Sequence, residues 1–316
     1  MDIFCIALGI PAAAAVLVLL IAYICYRMAF YAPRKPKADP AEFRLPIGDD
    51  YAPYREQMIA WIKETRAIPH EDLSIRSFDG LKLCGKYYEY APGAVIELMM
   101  PGYRGEAERD LCGGVQRCFS IGRSALIVDQ RACGNSEGNV ITFGIRESKD
   151  CLTWVDHMIG HFGKDVKIIL TGISMGAATV LIAGGQKLPE NVIGIIADCG
   201  YTSAKDIIKK VIRDMKLPAD IAYPFVRLGA KLYGHFDPEE TSPIESVKNC
   251  RIPVFFAHGE ADGYVPCDMS RRNFEACAAP KVLLTVSGAA HGVSYIVDPD
   301  GYIEALKRTM EASPIS

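Results

Sequence analysis

Ser174 stands in the run Thr171-Gly172-Ile173-Ser174-Met175-Gly176-Ala177, after the apolar stretch Val166 to Leu170 and before a segment of small residues. Strand, sharp turn and helix is the local structure this predicts. A serine hydroxyl is a poor nucleophile unless it projects from its backbone, lies beside a base and faces backbone N–H groups able to hold an oxyanion. A turn that does this strains the serine's backbone and leaves no room for bulk beside it; Gly172 and Gly176 meet that demand, and Ala177 helps. The chemistry in prospect is attack on an acyl carbonyl. Because Gly-x-Ser-x-Gly is short and arises by chance in glycine-bearing chains, the surrounding elements must decide its meaning.

Those elements alternate. Leu73 to Phe78 and Leu81 to Tyr90 flank Asp79-Gly80, the dipeptide of a tight hairpin turn with positive φ. Apolar strands then alternate with helical stretches: Val95 to Met100 with Ala107 to Ile121, Ser124 to Val128 with Ile145 to Phe162, Val166 to Leu170 with Gly176 to Lys187. Further strands are expected at Val192 to Ala197, Val254 to Ala257 and Val282 to Val286. Runs such as Val192-Ile193-Gly194-Ile195-Ile196 suit strands buried on both faces, so an antiparallel hairpin feeding a doubly wound parallel sheet follows. One stretch interrupts the rhythm: helical patterns at Ala204 to Met215 and Ile221 to Tyr233, broken by Pro218 and Pro224. Helices inserted at the carboxyl edge of such a sheet would cover its crevice as a small cap.

The other end of the chain is of another kind. Ile3 to Tyr26 carries no charge and is close to the roughly 20 residues needed to cross a bilayer, which makes it a transmembrane helix candidate. A cleaved signal peptide would want a basic start and a small-residue cleavage site, whereas here only Asp2 precedes the run and Phe30-Tyr31-Ala32 is a poor cleavage context. Arg27, Arg34, Lys35 and Lys37 follow it, so the positive-inside rule puts the downstream domain in the cytoplasm, with an extracytoplasmic placement as the alternative. Of the 11 cysteines, Cys5 and Cys25 belong to the anchor, and the remaining 11 − 2 = 9 are scattered without a CxxC pair, a pattern of reduced thiols. Pro33, Pro36, Pro40 and Pro46 predict an extended spacer that holds the domain off the membrane, and Asp49 or Asp50 can cap a helix running to about Ala67. The expected organisation is an anchor over 1–30, a Pro-rich linker over 31–48 and one domain over 49–316, with the cap near 203–240. A net charge of -3 argues against nucleic acid as a partner, and 50% apolar composition excludes a disordered chain.

The order of elements, the turn at Ser174 and two later segments resemble the alpha/beta-hydrolase superfamily, in particular its serine hydrolases of the esterase, monoacylglycerol lipase and serine aminopeptidase type. The later segments are His258-Gly259-Glu260-Ala261-Asp262-Gly263-Tyr264-Val265-Pro266 and Gly288-Ala289-Ala290-His291-Gly292, each just past an expected strand. The resemblance runs from about Leu73 to the end and implies a mostly parallel sheet of roughly eight strands. It assigns Ser174 as nucleophile, Asp262 as acid and His291 as base, in that chain order. It also gives one oxyanion donor to Met175, after the nucleophile, and the other to Tyr103 in Met100-Pro101-Gly102-Tyr103-Arg104-Gly105. Proline at 101 replaces the family's usual histidine. Arg104 could meet a negative group on a substrate or simply be solvated.

The requirement behind these assignments is independent of family: an imidazole must reach the serine, and a carboxylate must fix its tautomer. His157 and His161 have helical spacing but lack the glutamate of a zinc helix, and His258 is placed for hydrogen bonding inside its own loop. For the acid, Asp198 also ends a strand and is the alternative to Asp262, with Glu260 third. Asp129 to Ser136 looks like a family loop that braces its neighbours, and Cys133 and Cys199 lack a nucleophile's setting. The expectation is therefore ester hydrolysis of a small-molecule or lipid substrate, with no cofactor and no metal. Amide or peptide cleavage, a metal-dependent hydrolase and a non-catalytic membrane-tethered binding module are the alternatives.

Overall fold

A computed structural model describes the backbone of residues 2–33 and 41–311 and the side chains of 12–33 and 41–310. Arg34, Lys35, Pro36, Lys37 and Pro40 of the expected spacer lie outside the described residues, as do 312–316. The chain begins with α1 (Asp2–Ala29), then a 3-10 turn over Asp49–Tyr54 that runs into α2 (Arg55–Ala67). Pro53 accounts for that irregular start, since it lacks an N–H to give to a regular first turn. The hairpin follows as β1 (Glu71–Arg76) and β2 (Lys82–Tyr88). Its loop is not the tight two-residue turn expected: Gly80 N–H donates to Ser77 O and Ser77 N–H to Leu81 O, so three residues form the loop and only Gly80 takes a positive φ.

From β3 (Ile96–Met100) the chain alternates: α3 (Ala107–Asp110), α4 (Gly114–Ser120), β4 (Ser124–Val128), α5 (Ile145–Phe162), β5 (Ile168–Ile173), α6 (Met175–Gly184) and β6 (Val192–Asp198). The single helix expected over Ala107 to Ile121 is split in two. Gly113, at φ +85°, breaks it, and a Cβ there would lie 2.5 Å from the Trp61 ring. The helical insertion is α7 (Ala204–Asp214), α8 (Ala219–Gly229) and a π-helical turn over Ala230–Gly234; Pro218 caps α8, while Pro224 lies inside it without breaking it. α9 (Pro243–Ser246), β7 (Val254–Gly259), α10 (Cys267–Ala276), β8 (Lys281–Val286), α11 (Ser294–Val297) and α12 (Pro299–Glu311) complete the chain.

The eight strands form one sheet in the order β1-β2-β4-β3-β5-β6-β7-β8. β1 and β2 are antiparallel, β2 meets β4 antiparallel, and every pairing from β4 to β8 is parallel. β3, β4 and β7 are buried along their whole length, which is why they read as continuous apolar runs. α6 is buried on every side, and its one polar side chain, Thr179, is buried with the rest and bonded to Gln130 Oε1 and Met175 O, so the helix has no polar face to present. Parallel connections deliver the chain to one end of the sheet, so Ser174, Cys199 and the loop after Gly259 all emerge there.

The spacer expectation is corrected where the spacer would begin. Phe30 is fully buried among Phe143 and Phe236, with ring centroids at 5.6 and 5.1 Å, and Tyr31 bridges Val140. The domain is thus not held away from α1. Gly229 of α8 lets the helices approach closely, since a Cβ there would lie 2.2 Å from Ala22 O.

Candidate active site

Ser174 sits between β5 and α6 with φ 57° and ψ -117°, a conformation only a tightly held turn keeps. What holds it is close approach: a Cβ on Gly172 would lie 2.1 Å from Gly176 O, and one on Gly176 would lie 2.0 Å from Met100 O. Ser174 N–H donates to Asp198 O at 2.8 Å, tying the turn to β6. The hydroxyl, on a residue only 7% exposed, lies 2.9 Å from His291 Nε2. His291 Nδ1 is 2.6 Å from Asp262 Oδ2. Three side chains far apart in the chain thus form one hydrogen-bonded line.

The carboxylate at its end is heavily braced. Tyr264 and Val265 N–H groups donate to Asp262 Oδ1 at 2.9 and 2.8 Å, and His258 Nε2 is 3.2 Å from Oδ2. Burial works to raise this carboxyl, but the bonds from His258, His291 and the Val265 amide and the charge of His291 outweigh it, so the group is held far below its ordinary value. His258, fully buried at the end of β7, bonds the loop that follows it and α10 as well, with Nε2 donating also to Val265 O at 2.9 Å and Nδ1 2.6 Å from Ser270 Oγ. Asp198, the alternative acid, is elsewhere engaged: Ser294 Oγ donates to it at 3.2 Å, and burial raises its carboxyl despite His258 and Ser294. Glu260 pairs with Thr285 and Arg271 outside the line.

On the other side of Ser174 lies the loop after β3. A Cβ on Gly102 would lie 3.5 Å from Ser174 Cβ, so this loop abuts the serine. No hydrogen bond among the described residues uses the N–H of Tyr103 or Met175, whereas Gly102 N–H is taken by Asp110 Oδ2 at 3.0 Å. Gln130 Nε2 donates to Pro101 O at 2.6 Å, which gives the Asp129–Ser136 stretch a bracing part, and Arg131 in turn grips Asp150 and Asp79. Arg104, half-buried at φ 52°, is not among the residues lining the crevice: it donates to Met28 O and Tyr31 O at 3.0 and 2.9 Å, while Tyr103 O–H donates to Ala29 O at 2.7 Å. The open carbonyls at the end of α1 are satisfied by the very loop that borders Ser174. Burial pushes the Tyr103 hydroxyl up to about 12, so it stays a donor at neutral pH.

Cys199 Sγ is 4.0 Å from His291 Nε2, and donor atoms of Cys199, Asp262 and His291 lie within 4.8 Å of one another. This donor set suits a metal poorly. Asp262 is already engaged, and burial first, then Asp198 and Asp262, push the thiol far above its usual value, against the thiolate a metal would need. Asp110 and the part of the segment before α2 that faces the crevice escaped sequence reasoning. That segment supplies Ile47 and Tyr51 to the crevice of about 410 Å³ that holds Ser174 and His291, together with Trp61 and Tyr264. A neighbouring groove of about 770 Å³ shares Ile47, Tyr51 and Arg109 with it. α7 and α8 supply none of the residues lining these two cavities: α8 packs against α1, while α7 packs on α8 and reaches the rim of the crevice through Lys210, which donates to Gly263 O and lies over the Tyr264 ring.

No family model matches the chain. The uncharacterized protein YqkD of Bacillus subtilis (strain 168) is 27% identical over 194 residues, 61% of this chain; the match spans 64% of that relative's length, just under two thirds. Among solved structures, the esterase Pf2001 of Pyrococcus furiosus superposes with a TM-score of 0.64 at 21% identity, covering 88% of this chain and 100% of that one. The alpha/beta hydrolase GrgF of Penicillium sp. sh18 gives 0.59 at 18% identity, over 77% and 100%. Est1E of Butyrivibrio proteoclasticus, solved with ferulic acid, gives 0.58 at 17%, over 76% and 99%. With its strand order and the turn at Ser174, the chain has the alpha/beta-hydrolase fold.

Proposed function

We propose that the protein is a serine hydrolase acting on carboxylic esters. The observation that carries this reading is the line Ser174 Oγ, His291 Nε2, His291 Nδ1, Asp262 Oδ2, with steps of 2.9 and 2.6 Å. His291 takes the Ser174 proton as Oγ bonds to the acyl carbon, and Asp262 holds the tautomer and stabilises the imidazolium. The amides of Tyr103 and Met175 receive the oxyanion. His291 then gives its proton to the departing alcohol, and a water, deprotonated by His291 in turn, releases the acid from the acyl-enzyme. Two solved structures of like fold carry esterase names or a ferulic acid ligand, which favours esters over amides as the first substrates to try.

The reading of α1 as a single-pass membrane anchor with the catalytic domain on the cytoplasmic side is part of this proposal. Its support is the apolar stretch Ala12–Ala29, long enough to span a bilayer and mostly open on its surface, though a signal sequence has the same length and character. Labelling of the domain by a cell-impermeant thiol reagent in intact cells would overturn the cytoplasmic placement.

A panel of chromogenic esters and peptide amides of increasing acyl length, run beside a fluorophosphonate probe, tests the chemistry. The expected result is probe labelling and ester turnover that vanish in Ser174→Ala and survive chelators. A folded protein that never labels, or labels equally without Ser174, contradicts the proposal. Turnover abolished by chelators would favour a metal-dependent route.

A further inference from the structure

Two features of the helical insertion meet on one surface. The first is depth, and it rests on the reading of α1 as a membrane span. The uncharged residues from Ile3 to Ala22 occupy about 30 Å of helix, the thickness of a bilayer's hydrocarbon core. Tyr23, Tyr26, Arg27 and Tyr31 then fall at the headgroup level, where tyrosine rings form a belt. Tyr233, from the turn that follows α8, joins them: its ring lies 5.2 Å from Tyr23 and 5.8 Å from Tyr26, and its hydroxyl donates to Leu19 O. The insertion is therefore fixed at the level of the membrane surface.

The second is the open face of α8. Leu217, Ile221 and Leu232 are 48%, 66% and 43% exposed, and the half-buried Phe225 and Leu228 lie between them at helical spacing, with Pro224 beside. The neighbouring charges stand to one side and are paired, Arg227 with Asp237 and Glu239, and Lys231 with Asp237. On the stripe's other side Gly229 receives the Ala22 backbone, so the stripe abuts α1. Val18 and Leu19 of α1, open and flanking Ala22 at helical spacing, extend the same apolar surface. An apolar stripe flanked by charge is the pattern of a helix lying in a membrane interface.

We infer that the outer face of α8 lies in the membrane interface against lipid acyl chains, so that α1 and the insertion hold the domain to the bilayer together. Continuity with α1 selects lipid over a second protein copy as the occupant. Through Tyr103, bonded to Ala29, the rim of the Ser174 crevice is held at the same level, within reach of acyl lipid.

The test uses the full chain in phosphatidylcholine vesicles, with and without bromine on the acyl chains, and reads tryptophan emission above that of the native Trp61 and Trp154. The added emission in Ile221→Trp and, independently, in Leu232→Trp should shift to the blue and be quenched by bromine, as in Leu17→Trp. In Tyr90→Trp, on the distant β2 end of the sheet, it should not. Quenching in Leu17→Trp alone overturns the inference and leaves the anchor standing. Quenching in none of them removes the anchor reading as well. A blue shift at 221 and 232 that bromine does not touch means a second copy covers the face, and also overturns it.

Discussion

The two flanks of Ser174 are built differently. On the proposed acid and base side, Asp262 and His291 come from loops at the ends of β7 and β8, and the partners that orient them, His258 at the end of β7 and Tyr264 and Val265 in the loop after it, belong to the same stretch of chain. On the side proposed to hold the oxyanion, the Pro101–Arg104 loop is braced by Asp110, by Gln130 and by the end of α1. The first flank is self-contained; the second leans on a helix that ends more than 70 residues earlier in the chain. A perturbation of α1 should therefore reach catalysis through oxyanion stabilisation and leave the serine–histidine–aspartate line intact.

The largest expected effect lies on the first flank. Asp262→Asn should lower kcat by about 10⁴-fold through loss of the correct tautomer, while Asp198→Asn changes it by less than about tenfold. Steady-state kinetics on one ester would reverse the assignment of the acid if the two effects were exchanged.

On the second flank, Phe30→Ala empties a site between Phe143 and Phe236 and should cost about 3–5 kcal/mol. Denaturant unfolding measures that loss. Its kinetic companion is a fall in kcat with fluorophosphonate labelling of Ser174 retained; unchanged kcat would break the coupling between α1 and the oxyanion loop.

A pH series sharpens the contrast between the two aspartates. Asp262 is held below its ordinary value, so its contribution to stability is fully present above the unfolded carboxyl range near 3.9 and is lost as pH falls toward the folded value. Asp198, raised by burial, has the opposite sign: stability declines as pH rises from the unfolded value through the raised one. Urea midpoints at pH 3 and pH 7 should accordingly differ less in Asp262→Asn than in the native chain and more in Asp198→Asn. The smallest effect expected is that of Tyr103→Phe, which removes one hydrogen bond to Ala29 O and should cost about 0.5–1.5 kcal/mol while sparing the backbone donor.

How much of this was legible in the sequence follows the same division. The strand alternation and the glycines around Ser174 are local signals, because burial on both faces and close backbone approach restrict residue type at each position. The resemblance then pointed to Asp262 and His291, which the fold brings to Ser174. The second flank was not legible. Residues 46–51 read as spacer and helix start, although Ile47 and Tyr51 wall the crevice, because a contact with a distant loop leaves no periodic mark. In α1 an apolar residue left open and one packed against α8 are chemically alike, so Ala22, buried, and Leu20, open, could not be told apart. Pro101, which departs from the expected histidine, offers a carbonyl to Gln130, and no motif announces that pairing.

The most direct test of the account is to mix the protein with an excess of a slowly deacylating chromogenic ester, quench within the first turnover, and locate the acyl group by peptide mass analysis. The account predicts a burst of alcohol equal to the enzyme present and an acyl adduct on the peptide bearing Ser174. An adduct on Cys199, or turnover that persists at the native rate in Ser174→Ala, would contradict it.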